Sequence, residues 1–477
     1  MITAGTYRDS TVVVFGLGRT GVTAALSLQG AGADVWAWDD SEAGRVSAAE
    51  KGVNVRDPHN ADWSLVEALV LSPGVPHHLP KPHWTAVLAE QHDVPIICDI
   101  EILAREVNAR PESERPTIIA ITGTNGKSTT TALVGHVLKA LGKDAQVGGN
   151  IGRGVLDLDR MHGGSHYVLE LSSYQLERTF SLRANAAVLL NLSPDHLDRH
   201  GTMDDYSLAK QRIFANQTED DAVVVGVDDD HGRALTTELK VRNGRRIIPV
   251  SSQRALGHGV FALGGKLMDR TSRRGRMVCD LREAQALEGD HNAQNAAAAY
   301  AAVASLGYDP TAIGKAILSF PGLAHRMETV ATLRNVRFVN DSKATNADAA
   351  RQALGSYERI YWIAGGQPKA GGLEPVADLF GRVAKAYLIG EAAEAFAQTL
   401  QEADVPHDVC GDLQRAVLLA ARDALSSGDE NAIVLLSPAC SSFDQFADFE
   451  QRGEVFREAV NRLIGSCQGG RCEYSAA

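Results

Sequence analysis

A glycine-rich run near residue 120 carries the clearest chemistry in this sequence. The apolar stretch 117–121 leads into Gly123-Thr-Asn-Gly-Lys-Ser128, and a helical pattern follows over about 129–141. In such a strand–loop–helix, backbone N–H groups and the helix N-terminus bind phosphate oxygens, Lys127 adds positive charge, and the Ser128 hydroxyl can bind Mg²⁺. The run predicts a nucleoside triphosphate site. It is shorter than the usual P-loop, since Ile121 stands where that loop begins with glycine.

Polar residues follow two further apolar runs, where a metal ion could bind. Glu170 lies within the run 167–171, and a carboxylate at a strand end beside a P-loop predicts an Mg²⁺ ligand, with a helix cap as the alternative. The loop 191–200 contains two Asp and two His residues, among them His196, whose neutral imidazole can bind a metal. Lys210 belongs to a helical pattern that, taken alone, predicts a solvated lysine.

The last third of the chain has polar loops suited to anionic ligands. Arg326 and the segment 341–346 offer Arg, Lys and Asp, which suit polyphosphate and a ribose hydroxyl, although a capping-rich turn is the alternative for 341–346. Lys369 and Ser442 follow two later strand patterns and could hold a small carboxylate.

The first segment carries a G-x-G-x-x-G motif from Gly16 to Gly21. The motif follows the apolar run 11–15, and the next strand pattern ends in Asp39 and Asp40. Taken alone, this arrangement predicts an NAD or FAD site.

Strands that alternate with helices must position all of these loops. Such alternation predicts an α/β fold with mainly parallel sheets, in which ligands bind at the carboxyl ends of the strands. The polar segment 108–116, which contains Pro111 and Pro116, is the best candidate for a linker.

Composition narrows the class of protein. The chain has 477 residues, enough for two or three domains, and a net charge of −12, which argues against a general nucleic-acid or anionic-membrane binder. No apolar run is long enough to span a bilayer, and the N-terminus lacks a signal-peptide pattern, so we expect a cytoplasmic protein. The six cysteines show no metal-type pairing.

Taken together and in order, the motifs resemble those of the Mur ligases, ATP-dependent enzymes that form amide bonds in peptidoglycan precursors. The resemblance covers residues 12–465, and the short P-loop is itself a mark of this family. The segments that carry it are 16–21, 72–74, 123–129, 149–152, 170–177, 195–199, 291–295, 325–326, 341–346 and 437–440.

The resemblance implies three domains. A Rossmann-like domain, residues 1–108, would bind the UDP substrate, which overturns the dinucleotide interpretation of its glycine motif. After a linker at 109–116, a P-loop ATPase-like domain with a mainly parallel sheet, 117–321, would bind ATP. A C-terminal Rossmann-like domain, 322–477, would bind the amino acid. The branch of the family resembled most adds D-glutamate to UDP-N-acetylmuramoyl-L-alanine through an acyl phosphate. The implied partners are these small molecules, with no nucleic acid, no membrane insertion, and a monomeric chain.

The resemblance also implies residue roles. Lys127, Glu170, His196 and Lys210 would be catalytic, with Lys210 carbamylated by CO₂. Two Mg²⁺ ions would be held by Ser128, Glu170, His196 and Lys210. The ATP-binding residues would be Gly123, Thr124, Asn125, Gly126, Lys127, Ser128, Thr129, Asn292, Asn295, Arg326, Asp341 and Lys343. The UDP-substrate residues would be Gly18, Arg19, Thr20, Asp39, Asp40, Ser72, Gly74, Asn150 and His196, and D-glutamate would meet Thr345, Lys369, Ser442 and Phe449.

Two departures and several alternatives stay open. Ser41 stands where some relatives have an arginine beside the uridine site, and Gln367-Pro368 replaces a more usual Asp-Gly. Another Mur-type or a folylpolyglutamate-type ligase is the near alternative. A nicotinamide oxidoreductase would leave Lys127, Glu170 and His196 unexplained, and an inactive nucleotide-binding regulator is disfavoured because Lys127, Glu170 and Lys210 are all present.

Overall fold

The structure is a computed structural model that describes residues 1–242, 246–287, 289–368 and 371–468. Its contacts divide the chain into two compact units, Met1–Phe320 and Pro321–Ala477. None of the helices described there is long and apolar enough to cross a membrane.

The first unit begins with a sheet of short apolar strands that is buried on both faces. Val12 and Val14 pack into one core cluster, whereas Val13 and Phe15 pack into another. The elements are β1 (Thr11–Phe15), α1 (Arg19–Ala31), β2 (Asp34–Trp38), α2 (Glu42–Glu50), β3 (Val66–Leu71), α3 (Trp84–Gln91), β4 (Ile96–Ile97) and α4 (Asp99–Asn108). The strand order is β2-β1-β3-β4, all parallel.

A larger sheet follows in the same unit. Its elements are β5 (Thr117–Thr122), α5 (Lys127–Ala140), β6 (Asp144–Gly149), β7 (Ser165–Glu170), α6 (Ser173–Leu176), β8 (Ala186–Leu189), α7 (Leu197–His200), α8 (Met203–Gln211), β9 (Ala222–Gly226), α9 (Asp230–Arg242), β10 (Arg246–Ser251), β11 (Val260–Leu263), β12 (Lys266–Asp269), β13 (Arg276–Asp280), α10 (Asp290–Ser305) and α11 (Pro310–Leu318).

Its strand order brings the predicted site loops together. The order is β13-β12-β11-β10-β9-β8-β5-β7-β6, parallel from β11 to β6, with β12 antiparallel to both neighbours. Because β8, β5, β7 and β6 are adjacent and parallel, the loops that follow them leave the same edge of the sheet.

The two sheets of the first unit share one hydrophobic core. Ile100 and Leu103 of α4 belong to the same buried cluster as Leu176 and Ile213. The buried Glu101 carboxylate adds polar links, because its Oε2 accepts from the backbone N–H groups of Phe180 and Ser181 at 2.7 and 2.8 Å. The division of this unit at 109–116 stays a prediction.

The second unit contains a third sheet. Its elements are β14 (Glu328–Leu333), β15 (Val336–Asn340), α12 (Ala347–Ser356), β16 (Ile360–Gly365), β17 (Val383–Ile389), α13 (Ala393–Glu402), β18 (His407–Gly411), α14 (Leu413–Ser426), β19 (Ile433–Leu436) and α15 (Phe449–Gln468). The order is β14-β15-β19-β16-β17-β18, with β14 antiparallel to β15 and the rest parallel. The predicted α/β class with mainly parallel sheets is confirmed.

Short 3₁₀ segments complete the described secondary structure. They are Gly5–Tyr7, Pro58–Asn60, Trp63–Leu65, Glu112–Glu114, Val155–Asp157, Arg212–Phe214, Leu281–Glu283, Gln285–Leu287 and Glu374–Arg382.

Candidate active site

The predicted phosphate loop joins β5 to α5. The helix begins at Lys127, two residues before its predicted start, because Gly126 adopts a left-handed conformation (φ +82°) at the N-cap. A Cβ at Gly126 would overlap the Oδ1 atom of Asn295, so glycine is required there. The first-turn N–H groups of a helix have no intrahelical partner and can bind phosphate oxygens. The loop holds Gly123, Thr124, Asn125 and Gly126, and the first turn holds Lys127, Ser128 and Thr129.

Two lysines converge on this loop. Lys127 Nζ donates to the carbonyls of Gly123 and Thr124 at 3.0 and 2.7 Å, and Lys210 Nζ donates to the same Gly123 carbonyl at 2.9 Å. Lys210 is 2% exposed, so the solvated lysine predicted from the helical pattern is wrong. Burial, and secondly the charge of Lys127, lowers the pKa of Lys210 to about 7.

Glu170 ends β7 beside this loop. Its side chain is buried, and its Oε1 accepts from Asn150 Nδ2 at 2.9 Å. Among the residues that the structure describes, none hydrogen-bonds the buried Oε2 atom. A buried carboxylate oxygen without a donor suits a cation, so Glu170 fits an Mg²⁺ ligand. Asn150 itself is fixed through its N–H, which donates to the Glu170 carbonyl at 2.9 Å.

His196 lies in the loop after β8, at the N-cap of the short helix α7. Its backbone is left-handed (φ +54°), and its half-exposed ring lies 5.0 Å from the ring of Tyr174, measured between centroids. Its Nε2 is 3.4 Å from the Asp195 carboxylate. The described residues contain no metal-like cluster of three or more His, Cys, Asp or Glu. The predicted metal ligands include a serine and a modified lysine, which are not of those types.

The asparagines predicted near adenine lie in the first turns of α10. Asn295 is buried, and its Oδ1 accepts from Thr130 Oγ1 at 3.2 Å. Its Nδ2 donates to Asn292 Oδ1 at 3.2 Å. Asn295 therefore ties α10 to the helix that follows the phosphate loop.

The glycine motif of the first sheet is shaped by Asp39. The two carboxylate oxygens of Asp39 accept from the N–H groups of Leu17 and Ser41 at 2.7 and 2.9 Å. At the motif itself, Ser72 Oγ donates to the Gly16 carbonyl at 2.7 Å. The remaining UDP-substrate residues predicted in this domain lie at the same carboxyl edge: Gly18, Arg19, Thr20, Asp40 and Gly74.

Sequence reasoning missed an arginine at this edge. Arg45 Nη1 donates to the carbonyls of Asp39 and Asp40 at 2.7 and 3.0 Å, and the guanidinium lies 4.4 Å from the ring centroid of Trp38. A guanidinium therefore reaches the end of β2 from α2, although position 41 is a serine. Arg45 lies in a helix of mixed polarity, so nothing in the sequence pattern indicated that its side chain contacts the end of β2.

In the second unit, the loops after β15 and β19 meet at Asp341. Ser437 Oγ donates to Asp341 Oδ2 at 2.8 Å, and the Met327 N–H donates to Oδ1 at 3.2 Å. Burial raises the pKa of Asp341 to about 7. Arg326 and Lys343 flank it in sequence, and the Lys343 ammonium is 5.7 Å from the ring centroid of Phe449.

The residues predicted to meet D-glutamate are also in this unit. Thr345 follows Lys343 in the loop after β15, Ser442 is buried in the loop after β19, and Phe449 begins α15. Lys369 lies outside the described residues.

Beneath these loops is the fully buried Arg452, which the sequence analysis missed. Its guanidinium donates to Ser342 Oγ and to three carbonyls, those of Ser342, Cys440 and Ser441.

Family models match most of the chain outside the first sheet. A model described as the Mur ligase middle domain matches residues 121–303, and one described as the Mur ligase, glutamate ligase domain matches residues 325–440.

Proteins named UDP-N-acetylmuramoylalanine–D-glutamate ligase match nearly the full length. The one from Caulobacter sp. (strain K31) is 58% identical over 97% of this chain and 98% of that protein. The one from Caulobacter vibrioides (strain NA1000 / CB15N) is 57% identical over 99% of both, and the one from Chelativorans sp. (strain BNC1) is 49% identical over 98% of both.

Solved structures share the fold at low sequence identity. UDP-N-acetylmuramate-alanine ligase MurC from Thermotoga maritima matches with a TM-score of 0.56 and 21% identity, over 96% of this chain and 99% of that one. MurF from Acinetobacter baumannii matches with a TM-score of 0.52 and 21% identity, over 74% and 78%.

Proposed function

Because this chain belongs to the Mur ligase family, we propose that it is an ATP-dependent ligase that joins D-glutamate to UDP-N-acetylmuramoyl-L-alanine in peptidoglycan precursor synthesis. The observation that carries the chemistry is the meeting of the phosphate loop, Glu170 and Lys210 at one sheet edge. The choice of D-glutamate is supported by the names of relatives 49–58% identical to nearly the whole chain.

The phosphate loop would bind ATP and activate its γ-phosphoryl group. First-turn N–H groups of α5 and the Lys127 ammonium offset the negative charge that moves during phosphoryl transfer. Lys127 donates to two carbonyls of its own loop and would exchange these acceptors for phosphate oxygens.

Ser128 and Glu170 would hold one Mg²⁺, and His196 with a carbamylated Lys210 would hold a second. Bound Mg²⁺ supplies charge neutralisation and orients the phosphates.

Carbamylation of Lys210 needs a neutral amine. An ordinary lysine, with a pKa of about 10.4, is neutral about once in 2,500 molecules at pH 7, but a pKa near 7 makes about half of the molecules neutral. The lowered pKa of Lys210 therefore favours reaction with CO₂.

The bond changes balance without a further reactant. A carboxylate oxygen of the L-alanyl group attacks the γ-phosphorus, the bond to the β,γ-bridging oxygen breaks, and ADP leaves. The neutral D-glutamate amine then attacks the acyl carbon of the acyl phosphate. The tetrahedral intermediate expels inorganic phosphate, the amine loses a proton, and an amide remains.

We place the substrate subsites at the carboxyl edges of the sheets. We assign the UDP substrate to the edge formed by the glycine loop, Asp39 and Ser72, together with Asn150, and D-glutamate to the loops of the second unit around Ser442. We also propose the division at 109–116, a monomeric chain and a cytoplasmic location.

The test is phosphate release from ATP in the presence of Mg²⁺ and UDP-N-acetylmuramoyl-L-alanine. We expect release with D-glutamate and none with L-glutamate, L-lysine, meso-diaminopimelate or no amino acid. Dependence on another amino acid would move the chain to a sister ligase, and no release under any condition would refute the proposal.

A further inference from the structure

A buried carboxylate near the candidate site has no part in the reaction described above. Glu177, at the C-cap of α6, is largely buried, and its Oε1 is 3.8 Å from Arg178 Nη2 and 3.7 Å from Arg199 Nη2. Its Oε2 is 3.6 Å from His200 Nδ1. Burial raises the pKa of Glu177, and the two guanidinium groups oppose that rise.

The two arginines reach from Glu177 to a single loop, the one that follows β3. Arg178 donates to the carbonyls of Leu71, Ser72 and Val75 at 2.6–3.2 Å. Arg199 donates to the carbonyls of Gly74 and Val75 at 3.3 and 3.4 Å. This loop carries Ser72 and Gly74 of the proposed UDP-substrate edge, so its backbone is shaped by cations from the larger sheet.

Arg199 also belongs to the element that presents His196. Helix α7 is a single turn, with His196 at its N-cap and Arg199 in its last turn. So short a helix has little stability of its own, and its position depends on tertiary contacts. The Arg199 guanidinium supplies three: the carbonyls of the β3 loop, Glu177, and the ring of Tyr174, whose centroid is 4.7 Å away.

We propose that Arg199, held by Glu177, is a positioning residue that fixes α7 against the loop after β3 and thereby sets the place of His196 relative to the UDP-substrate edge. This inference rests on the proposed function, since it assigns His196 to that reaction. Arg199 acts through His196 and through the loop.

Arg199→Lys keeps the charge but replaces the planar guanidinium, which donates to two carbonyls and faces Glu177, by a single ammonium. We expect kcat to fall about 10–100-fold and KM for the UDP substrate to rise, because small misplacements of a reacting group cost about that much. KM for ATP should stay within about twofold, since the phosphate loop is held by other contacts. Glu177→Gln, nearly equal in size, should shift the same two constants in the same direction.

A double-mutant cycle separates positioning from a general structural role. On a His196→Ala background, Arg199→Lys should lower the residual kcat by less than about twofold, because its effect on kcat passes through the missing imidazole. The rise in KM for the UDP substrate, which passes through the loop after β3, should persist on that background. Arg183→Lys is the matched control: Arg183 pairs with Asp221 at 2.8 Å elsewhere in the same unit, and its replacement should leave all three constants unchanged.

The proposal is overturned if Arg199→Lys leaves kcat and the UDP-substrate KM unchanged, or if it lowers kcat as much with His196→Ala as without it. Melting temperatures verify folding, and if Arg199→Lys does not fold, Glu177→Gln is carried through the same cycle under the same criteria. An inactive wild-type protein would instead refute the proposed function.

Discussion

At the scale of single residues, replacing Lys210 tests the proposed metal site most stringently. If a carbamate on Lys210 binds a metal ion, Lys210→Ala should lower kcat about 100-fold or more, and small carboxylates such as acetate should restore part of the loss. Lys240→Ala, which removes an exposed helical lysine in α9, is the control and should leave kcat unchanged. Full activity in the Lys210 variant would exclude the role.

The lowered pKa of Lys210 predicts how activity depends on CO₂ and pH. Because the pKa in the folded protein is about 7, below the ordinary lysine value, the amine is mainly neutral above pH 7 and mainly ammonium below it. After removal of CO₂, added bicarbonate should restore turnover faster at about pH 8 than at about pH 6. Turnover that does not respond to bicarbonate would contradict the carbamate.

The sequence pattern alone could not identify Lys210. Helical periodicity predicts a face, but which face of α8 is buried depends on what packs against it, and the phosphate loop lies more than 80 residues away in the chain. The family resemblance supplied the position, and the structure supplies the burial. Arg452 shows the same limit, since its four hydrogen-bond acceptors come from loops that only the folded sheet brings together.

At the scale of elements, the end of β8 holds the phosphate loop in place. Asn191 Oδ1 accepts from the Asn125 N–H at 2.8 Å, and Asn191 Nδ2 donates to the Asn125 carbonyl at 3.2 Å. Loss of both bonds in Asn191→Ala should weaken Mg²⁺-ATP binding about tenfold, measured by calorimetry. Asn108→Ala, which removes an exposed amide-to-carbonyl bond to Ser181, should leave the affinity unchanged. Equal ATP affinities in both variants would show that the loop needs no such support.

Helices and strands could be predicted where the hydrophobic periodicity, the glycine positions and the polar residues at strand ends all indicate the same element. The strand, loop and helix around Gly123 were all predicted, with the start of α5 placed two residues too late and the ends of β5 and α5 misplaced by one residue each. The cause is local: Gly126 serves as the N-cap in a left-handed conformation, so Lys127 and Ser128 already belong to the helix. Asn191 was visible as a polar strand end, but its bonds to Asn125 join residues 66 apart and required the β5–β8 pairing.

At the scale of the whole molecule, the two sheets of the first unit should be stabilised together. Leu103→Ala removes a fully buried side chain from their shared core and should cost about 2–5 kcal/mol. Hydrogen exchange measured by mass spectrometry should then rise across both sheets within 1–320 and stay unchanged in 321–468. The control Leu388→Ala, in a core cluster of the second unit, should show the reverse. Faster exchange confined to residues 1–108 after Leu103→Ala would contradict a shared core.

At this scale, the sequence could not predict the core that the two sheets of the first unit share. The segment 109–116 has the composition of a linker, yet composition cannot reveal that α4 contributes Leu103 to a core that continues beyond it. That core forms only when the two sheets pack, so the number of cooperative units is a tertiary property.

The most direct test of the proposed reaction follows one oxygen atom. UDP-N-acetylmuramoyl-L-alanine labelled with ¹⁸O in its alanyl carboxylate is incubated with the protein, Mg²⁺, ATP and D-glutamate, and the released phosphate is analysed by mass spectrometry. We expect each phosphate released to carry one carboxylate oxygen, because an acyl phosphate forms and then breaks at its acyl carbon. Unlabelled phosphate, whether or not an amide forms, would contradict the proposed reaction.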